Sequence, residues 1–372
     1  MRIIYPYNEI LPKRKAHDVF VFHECAALAM TAEDWDVTLL IGRGSDTEHL
    51  FTYYNIPYCE RLHIDPLFIV RKNNPLGISW NFPFFFLCQR SIQRARPDAV
   101  ILSVRKQGAY HLRHKVPGVR YVYEVHELTF YPNAPDQHLL EAQEERDMLK
   151  QADLVTVTTD ALKVILEAPP YSLKNRIEVV PLAVQATALP PPASTEKLQL
   201  AYVGQLYAGQ GVTILLKALS KTQNVHLKIL GGRPAEITHL KEFARTLGIG
   251  DSVTFLGFTP PYEIPQAIQD VHAFVAPFEN TGRMPYVAHT KLFEYAHWGR
   301  PIIAPDLPIV REHFHTGNGV LLFKPGDPVA LASCIQQLQQ EPTRIKLQNG
   351  ISTNSGRFSW AARAKKYARL LS

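Results

Sequence analysis

Short apolar runs alternate with segments of helical periodicity along both halves of the chain, and that alternation admits few folds. In the first half the runs fall at Arg2–Tyr5, Val37–Ile41, Ala99–Val104, Tyr121–Val125, Leu154–Val157 and Ile177–Val180. An apolar stripe at 3.6-residue spacing predicts a helix from about Ala16 to Met30, and a polar, acidic helix is expected over about Gln137 to Gln151. Strand and helix signals in alternation predict α/β architecture, with parallel sheets covered by helices on both faces. The stretch VQATALPPPASTEK, residues 184–197, then sets three consecutive prolines among small polar residues and reads as a linker. Beyond it the pattern restarts with a strand at Leu198–Val203 and a turn containing Gly204, Gly209 and Gly211. Two α/β domains, 1–183 and 198–358, are therefore expected, with a cleft between them where ligands collect at strand C-terminal ends.

The length of 372 residues suits two domains that each bury a core, and 46% apolar with 20% charged residues excludes a disordered chain. Cys25, Cys59, Cys88 and Cys334 are scattered without CxxC or His spacing, which argues against structural zinc and for a reducing compartment. The opening MRIIYPY reads as a first strand rather than a signal peptide. Leu76 to Cys88, the longest apolar candidate, is too short to span a bilayer and is broken by Asn81 and Pro83. A cytoplasmic protein is expected.

The net charge of +6 is unevenly spread: residues 191–372 hold 19 Lys/Arg against 12 Asp/Glu, as a domain holding a nucleotide diphosphate would need. Residues 61–120 carry 11 Lys/Arg against 2 acids, including Arg71, Lys72, Arg90, Arg94 and Arg96, around the aromatic run Trp80, Phe82, Phe84, Phe85 and Phe86. That composition fits peripheral contact with an anionic membrane on its inner face. Buried aromatics beneath a solvated basic face are the alternative. No nucleic-acid-binding module accompanies the charge.

The stretch KLFEYAHWGRPIIAPDLP, residues 291–308, places Lys291 and Glu294 at the start of a helix. A helix N-terminus with a lysine suits phosphate, and a carboxylate one turn on can accept hydrogen bonds from the vicinal hydroxyls of a ribose. Around it stand LQLAYVGQLYAGQGVTILLKAL, VHLKILGGRPAEITHL, DSVTFLGFTPPYEIPQAI, VHAFVAPFENTG and NGVLLFKPGDPVALASCI, in that order. Residues 198–372 thus resemble the C-terminal half of a family 4 (group 1) glycosyltransferase of the GT-B fold, in the subgroup with a K-x-x-E-Y helix. The resemblance implies two Rossmann-like domains, with a final helix over 359–372 crossing back onto the first.

It also implies roles. Lys291 would face phosphate and Glu294 ribose, while Gly204 and Gly211 would allow close approach of backbone to a diphosphate. Many members carry an Arg after the first Gly of this turn and a Lys before the last, where this chain has Gln205 and Gln210. Lys291 and the helix dipole, with charge from Arg233, which follows Gly232, or from the basic loop of Lys13, Arg14 and Lys15, would have to compensate. Tyr286 stands where the subgroup's relatives with Glu-x7-Glu have their first Glu, so sugar contacts fall to Asn280, Thr281, His289 and Thr290. Phe258 would meet the base, or else belong to the core. In the first domain His126 would hold a sugar hydroxyl or polarise the departing group, and Lys13, Lys15, His17 and Glu127 would line the acceptor side.

Asp34-Trp35-Asp36 spells a D-x-D but lies at a turn entering a strand, far from the phosphate loop, and reads as surface. No metal and no cofactor are expected. The implied activity is retaining, metal-independent transfer of a sugar from a nucleotide diphosphate donor to a hydroxyl of a glycan or lipid-linked acceptor. A nucleotide-sugar 2-epimerase on the same fold and a catalytically silent binding subunit are the alternatives.

Overall fold

The computed structural model describes the chain apart from residues 14–15, 32–33, 72–78, 133–138, 186–187, 193–195, 261–262, 316–317 and 353–354. Arg14, Lys15 and Lys72 lie outside the described residues. The chain divides into two compact units, one drawing on Met1–Tyr131, Asp136–Pro181 and Trp360–Ser372, the other on Leu182–Ser359 with Pro132–Pro135.

The first unit is built on strands β1 (Arg2–Pro6), β2 (Asp36–Gly42), β3 (Leu62–Leu67), β4 (Ala99–Leu102), β5 (Arg120–Val125), β6 (Leu154–Val157) and β7 (Ile177–Val179). They form one sheet in the order β3-β2-β1-β4-β5-β6-β7, with every described pairing parallel. The sequence pattern missed β3, whose LHIDPL carries Pro66. Proline removes a ladder donor, and β3 tolerates it because it is an edge strand. The helices Ala16–Thr31 and Leu139–Leu149 fall where periodicity places them. The helix Trp360–Leu371 belongs to this first unit, where Tyr367 Oη meets Thr156 Oγ1 of β6 at 3.0 Å.

The second unit holds β8 (Leu198–Val203), β9 (Val225–Leu230), β10 (Val253–Gly257), β11 (Ala273–Val275), β12 (Ile302–Pro305) and β13 (Val320–Phe323), in the order β10-β9-β8-β11-β12-β13 and again parallel. Described parts of the proline-rich stretch pack on this unit. The Leu189 amide donates to the Trp298 carbonyl at 3.1 Å, and buried Arg300 donates to the carbonyls of Val271 and Pro190.

In each sheet the strand order reverses once, between β1 and β4 and between β8 and β11. Loops leaving the carboxyl ends of such a pair diverge and leave a crevice, where ligands bind in sheets of this kind. The loop after β8 carries Gly204 to Gly211, and the loop after β11 carries Asn280 and Thr281. Topology alone thus brings two distant stretches of sequence to one place.

The helix Phe82–Ala95 sorts the aromatic run onto two faces. Phe84 and Phe85 are 0% and 7% exposed, whereas Trp80, Phe82 and Phe86 are 56%, 50% and 45% exposed. The exposed three form a stacked row, with centroids 6.0 Å apart for Trp80–Phe82 and 6.4 Å for Phe82–Phe86, and the Arg90 guanidinium lies 5.6 Å from the Phe86 ring. The five do not act together: two belong to the core and three to the surface.

Candidate functional site

In the second unit the site is built around the helix Thr290–His297. Its Tyr295 hydroxyl accepts from the amide of Val203 at 2.8 Å and donates to that residue's carbonyl at 3.0 Å, while the ring stacks on Phe274. Tyr295 therefore pins the helix to the last residue of β8, immediately before the Gly-rich turn. That is the physical content of the Tyr in K-x-x-E-Y.

So anchored, the helix directs Lys291 to the turn. Its ammonium donates to Tyr202 Oη at 2.8 Å and to Gln210 Oε1, and lies 4.3 Å from the centre of the Tyr202 ring. A Cβ at position 204 would stand only 3.1 Å from Lys291 Nζ, so Gly204 makes room for the ammonium. Gly211 has a different reason. At φ +71° its missing side chain would run into the carbonyl of Pro277, so the glycine lets the turn after β8 close on the end of β11.

The Glu294 carboxylate, one turn along, makes no side-chain hydrogen bond and no close ion pair among the described residues, although its backbone carbonyl accepts from the Trp298 amide at 2.9 Å. Burial pulls Lys291 down to about 7 against the attraction of Glu294, and burial raises Glu294 against the attraction of Lys291. The two groups attract each other, and among the described residues no hydrogen bond or ion pair joins them.

The other expected donor contacts are placed variously. Gln205, Asn280, Thr281 and Thr290 are exposed, and Phe258 is exposed after β10 rather than in the core. Gly232 abuts the Leu206 side chain. Arg233 projects to the surface, where its guanidinium pairs with Glu236 at 2.6 Å and its backbone amide donates to the same carboxylate at 2.8 Å, which caps its own helix. His289 is buried against Phe278, with Nε2–H donating to the Met284 carbonyl at 2.7 Å, and burial lowers it to about 3.

In the first unit His126 and Glu127 follow β5. His126 Nε2 lies 3.4 Å from Glu124 Oε1, and the imidazole meets the Phe20 ring edge-on with centroids 4.6 Å apart. His17, at the start of the first helix, brings its ring within 5.1 Å of His126, and burial with the neighbouring imidazole lowers it to about 3, so it is neutral. Glu127 is exposed. The Lys13 ammonium pairs with Glu9 in its own loop. Asp34 is on the surface near the amino terminus, and Asp36 opens β2 at the amino-terminal end of the parallel strands, whereas His126 follows the carboxyl end of β5.

Sequence reasoning missed what lies beneath His126. Arg363 of the C-terminal helix is buried and donates to Glu24 Oε2 at 2.7 Å, to Glu124, and to the carbonyls of Val180 and Pro181. Nothing local in the sequence signals this pairing, since its members lie up to 339 positions apart. Tyr202 and Tyr295 were likewise missed, though the Tyr in K-x-x-E-Y was a visible cue.

A profile described as "Glycosyl transferases group 1" matches residues 197–341, and one described as "Glycosyltransferase Family 4" matches residues 19–187. Together with two Rossmann-like sheets and GT-B structural neighbours, they show that the chain belongs to the group 1, family 4 glycosyltransferases. Among curated relatives, D-inositol 3-phosphate glycosyltransferase of Corynebacterium diphtheriae is 29% identical over 182 residues, covering 45% of this chain and 40% of that one. The protein of the same name from Corynebacterium urealyticum is 27% identical over 252 residues, 61% of this chain and 58% of its own. The matches thus span about half the length of these relatives. In fold, the chain is similar to sucrose-phosphate synthase from Thermosynechococcus elongatus, with TM-score 0.77, 17% identity and coverage of 99% and 98%. It is also similar to Anabaena HepE solved in complex with UDP, with TM-score 0.73, 15% identity and coverage of 100% and 99%.

Proposed function

We propose that the chain is a retaining, metal-independent glycosyltransferase that moves a sugar from a nucleotide diphosphate donor to a hydroxyl. The observation that carries this reading is the Lys291–Glu294 pair, set beside the Gly-rich turn at the point where strand order reverses. Lys291 faces the diphosphate and Glu294 takes the hydroxyls of a ribose; charge stabilisation of the departing diphosphate and positioning supply the catalysis. His126 serves the sugar or acceptor side. With Gln210 occupied in holding Lys291, a cation remains at the turn, which supports an active enzyme over a silent subunit. Metal independence is part of this proposal; among the described residues no group of three or more His, Cys, Asp and Glu side chains is arranged to hold a metal ion.

The acceptor we propose is a glycan or lipid-linked sugar met at an anionic membrane face. The exposed row of Trp80, Phe82 and Phe86 beside Arg90 supports this, and no described helix is long and apolar enough to cross a membrane.

Calorimetry with UDP, GDP and ADP and their sugars, followed by nucleotide release with and without acceptor, tests the reading. Glu294→Ala should weaken the preferred nucleotide by about 10- to 150-fold, equivalent to about 1.5–3 kcal/mol for a lost hydrogen bond to a charged group. A folded Glu294→Ala protein with unchanged affinity would remove the assignment. Release of altered free sugar without acceptor would point to the epimerase.

A further inference from the structure

Just before its last glycine, the Gly-rich turn carries a glutamine whose amide is neither on the surface nor idle. Gln210 is buried, and its Oε1 accepts from the Lys291 ammonium and, at 3.2 Å, from the Tyr202 hydroxyl. The same hydroxyl also lies against the Gln205 carbonyl. The ammonium therefore rests on a floor made of one amide oxygen, one phenol oxygen and one aromatic face. All three favour a cation, and none carries charge.

We propose that Gln210 is a positioning residue for Lys291: with Tyr202 it holds the ammonium over the Gly-rich turn, so that the turn receives its phosphate-facing cation from the helix instead of carrying one itself. The inference rests on the nucleotide-binding reading above and deepens it. A neutral seat is what the arrangement requires. A carboxylate at 210 would bind the ammonium as an ion pair and compete with the diphosphate for it. A lysine at 210 would place a second ammonium within hydrogen-bond distance of the first in a desolvated spot, where like charges repel strongly. The other groups facing Lys291 are Glu294 and His289 from its own helix and Tyr202 from β8, and of these only Glu294 attracts it by charge. Lys291 thus depends on Gln210 and Tyr202 for its place, and a gain of charge at 210 should weaken the site.

A double-mutant cycle on nucleoside diphosphate binding separates positioning from direct contact. The probe is whichever of UDP, GDP and ADP binds the wild-type protein, with the matching nucleoside as control. Gln210→Leu should weaken the diphosphate about tenfold or more and leave the nucleoside unchanged. In a Lys291→Met background the same Gln210→Leu change should have almost no effect, because there is no ammonium left to seat. Gln210→Lys alone should weaken binding, and Gln210→Lys combined with Lys291→Met should recover part of the loss by returning one cation to the turn. Equal effects of Gln210→Leu with and without Lys291, or tighter binding by Gln210→Lys alone, would overturn the proposal. Circular dichroism of each variant establishes that it is folded. Absence of nucleoside diphosphate binding by the wild type would instead overturn the reading on which the proposal rests.

Discussion

Replacing Arg363 by methionine should unbalance the buried charge of the first unit, and the outcome can be worked from its contacts. The guanidinium offers its donors to two carboxylates and two backbone carbonyls, and its face lies 4.9 Å from the Phe20 ring centre. Removing one member of a buried ion cluster typically costs about 3–5 kcal/mol, because the opposite charge stays buried without compensation. Here two carboxylates stay behind. In the wild type burial holds Glu24 above the usual carboxylate range against the pull of Arg363. Burial also pushes Glu124 up, but Arg363 and then His126 outweigh it and hold Glu124 below that range. Without Arg363 both carboxyls should titrate above their unfolded value. A group raised in the folded state gives stability that is full below its unfolded pKa and is lost as pH rises through the folded one. The deficit of Arg363→Met should therefore be modest near pH 5 and grow toward pH 8, roughly to the full 3–5 kcal/mol. Urea unfolding across that range measures it, and adding Glu24→Gln should recover a large share near pH 8. A deficit below about 1 kcal/mol, or one that shrinks as pH rises, would refute the reasoning.

Three further outcomes are expected. Because Lys291 sits at about 7 when free, affinity for a nucleoside diphosphate should fall as pH rises from about 6 to about 9, by at most about tenfold per unit, while the matching nucleoside is unaffected; a flat profile would take Lys291 away from the phosphates. Transfer or nucleotide release should survive EDTA, and complete loss restored by Mn²⁺ or Mg²⁺ would mean a missed ligand set. Anionic vesicles should bind the protein at low salt and release it as salt rises, with Trp80→Ser plus Phe86→Ser reducing binding; unchanged binding by that pair would send the contact elsewhere, whereas Phe84→Ser is expected to damage the core.

Strand and helix positions were legible because parallel sheets write their buried strands as apolar runs, and the Lys291–Glu294 pair because both lie within one helix. The partners of Arg363 were not legible, since an arginine four residues into an amphipathic helix looks like any solvated one until tertiary packing brings Glu24 and Glu124 to it. Gln210 looked like a lost charge for the same reason: its meaning resides in Lys291, 81 positions on. The aromatic run misled by composition. Read at helical spacing, Phe82 and Phe86 share one side of the helix while Phe84, Cys88 and Ile92 are buried on another.

The first unit is discontinuous in sequence, and this bears on how the chain acquires its structure during synthesis. Glu24 and Glu124 are translated long before Arg363, with the whole of Leu182–Ser359 between. At about 5–20 residues per second, the two acids wait on the order of ten seconds or more for their counter-charge. The second unit is nearly continuous and can complete its core first. The first should remain open, or hold its acids protonated, until the last helix emerges, and a nascent chain halted before Trp360 should be the form that chaperones and proteases meet.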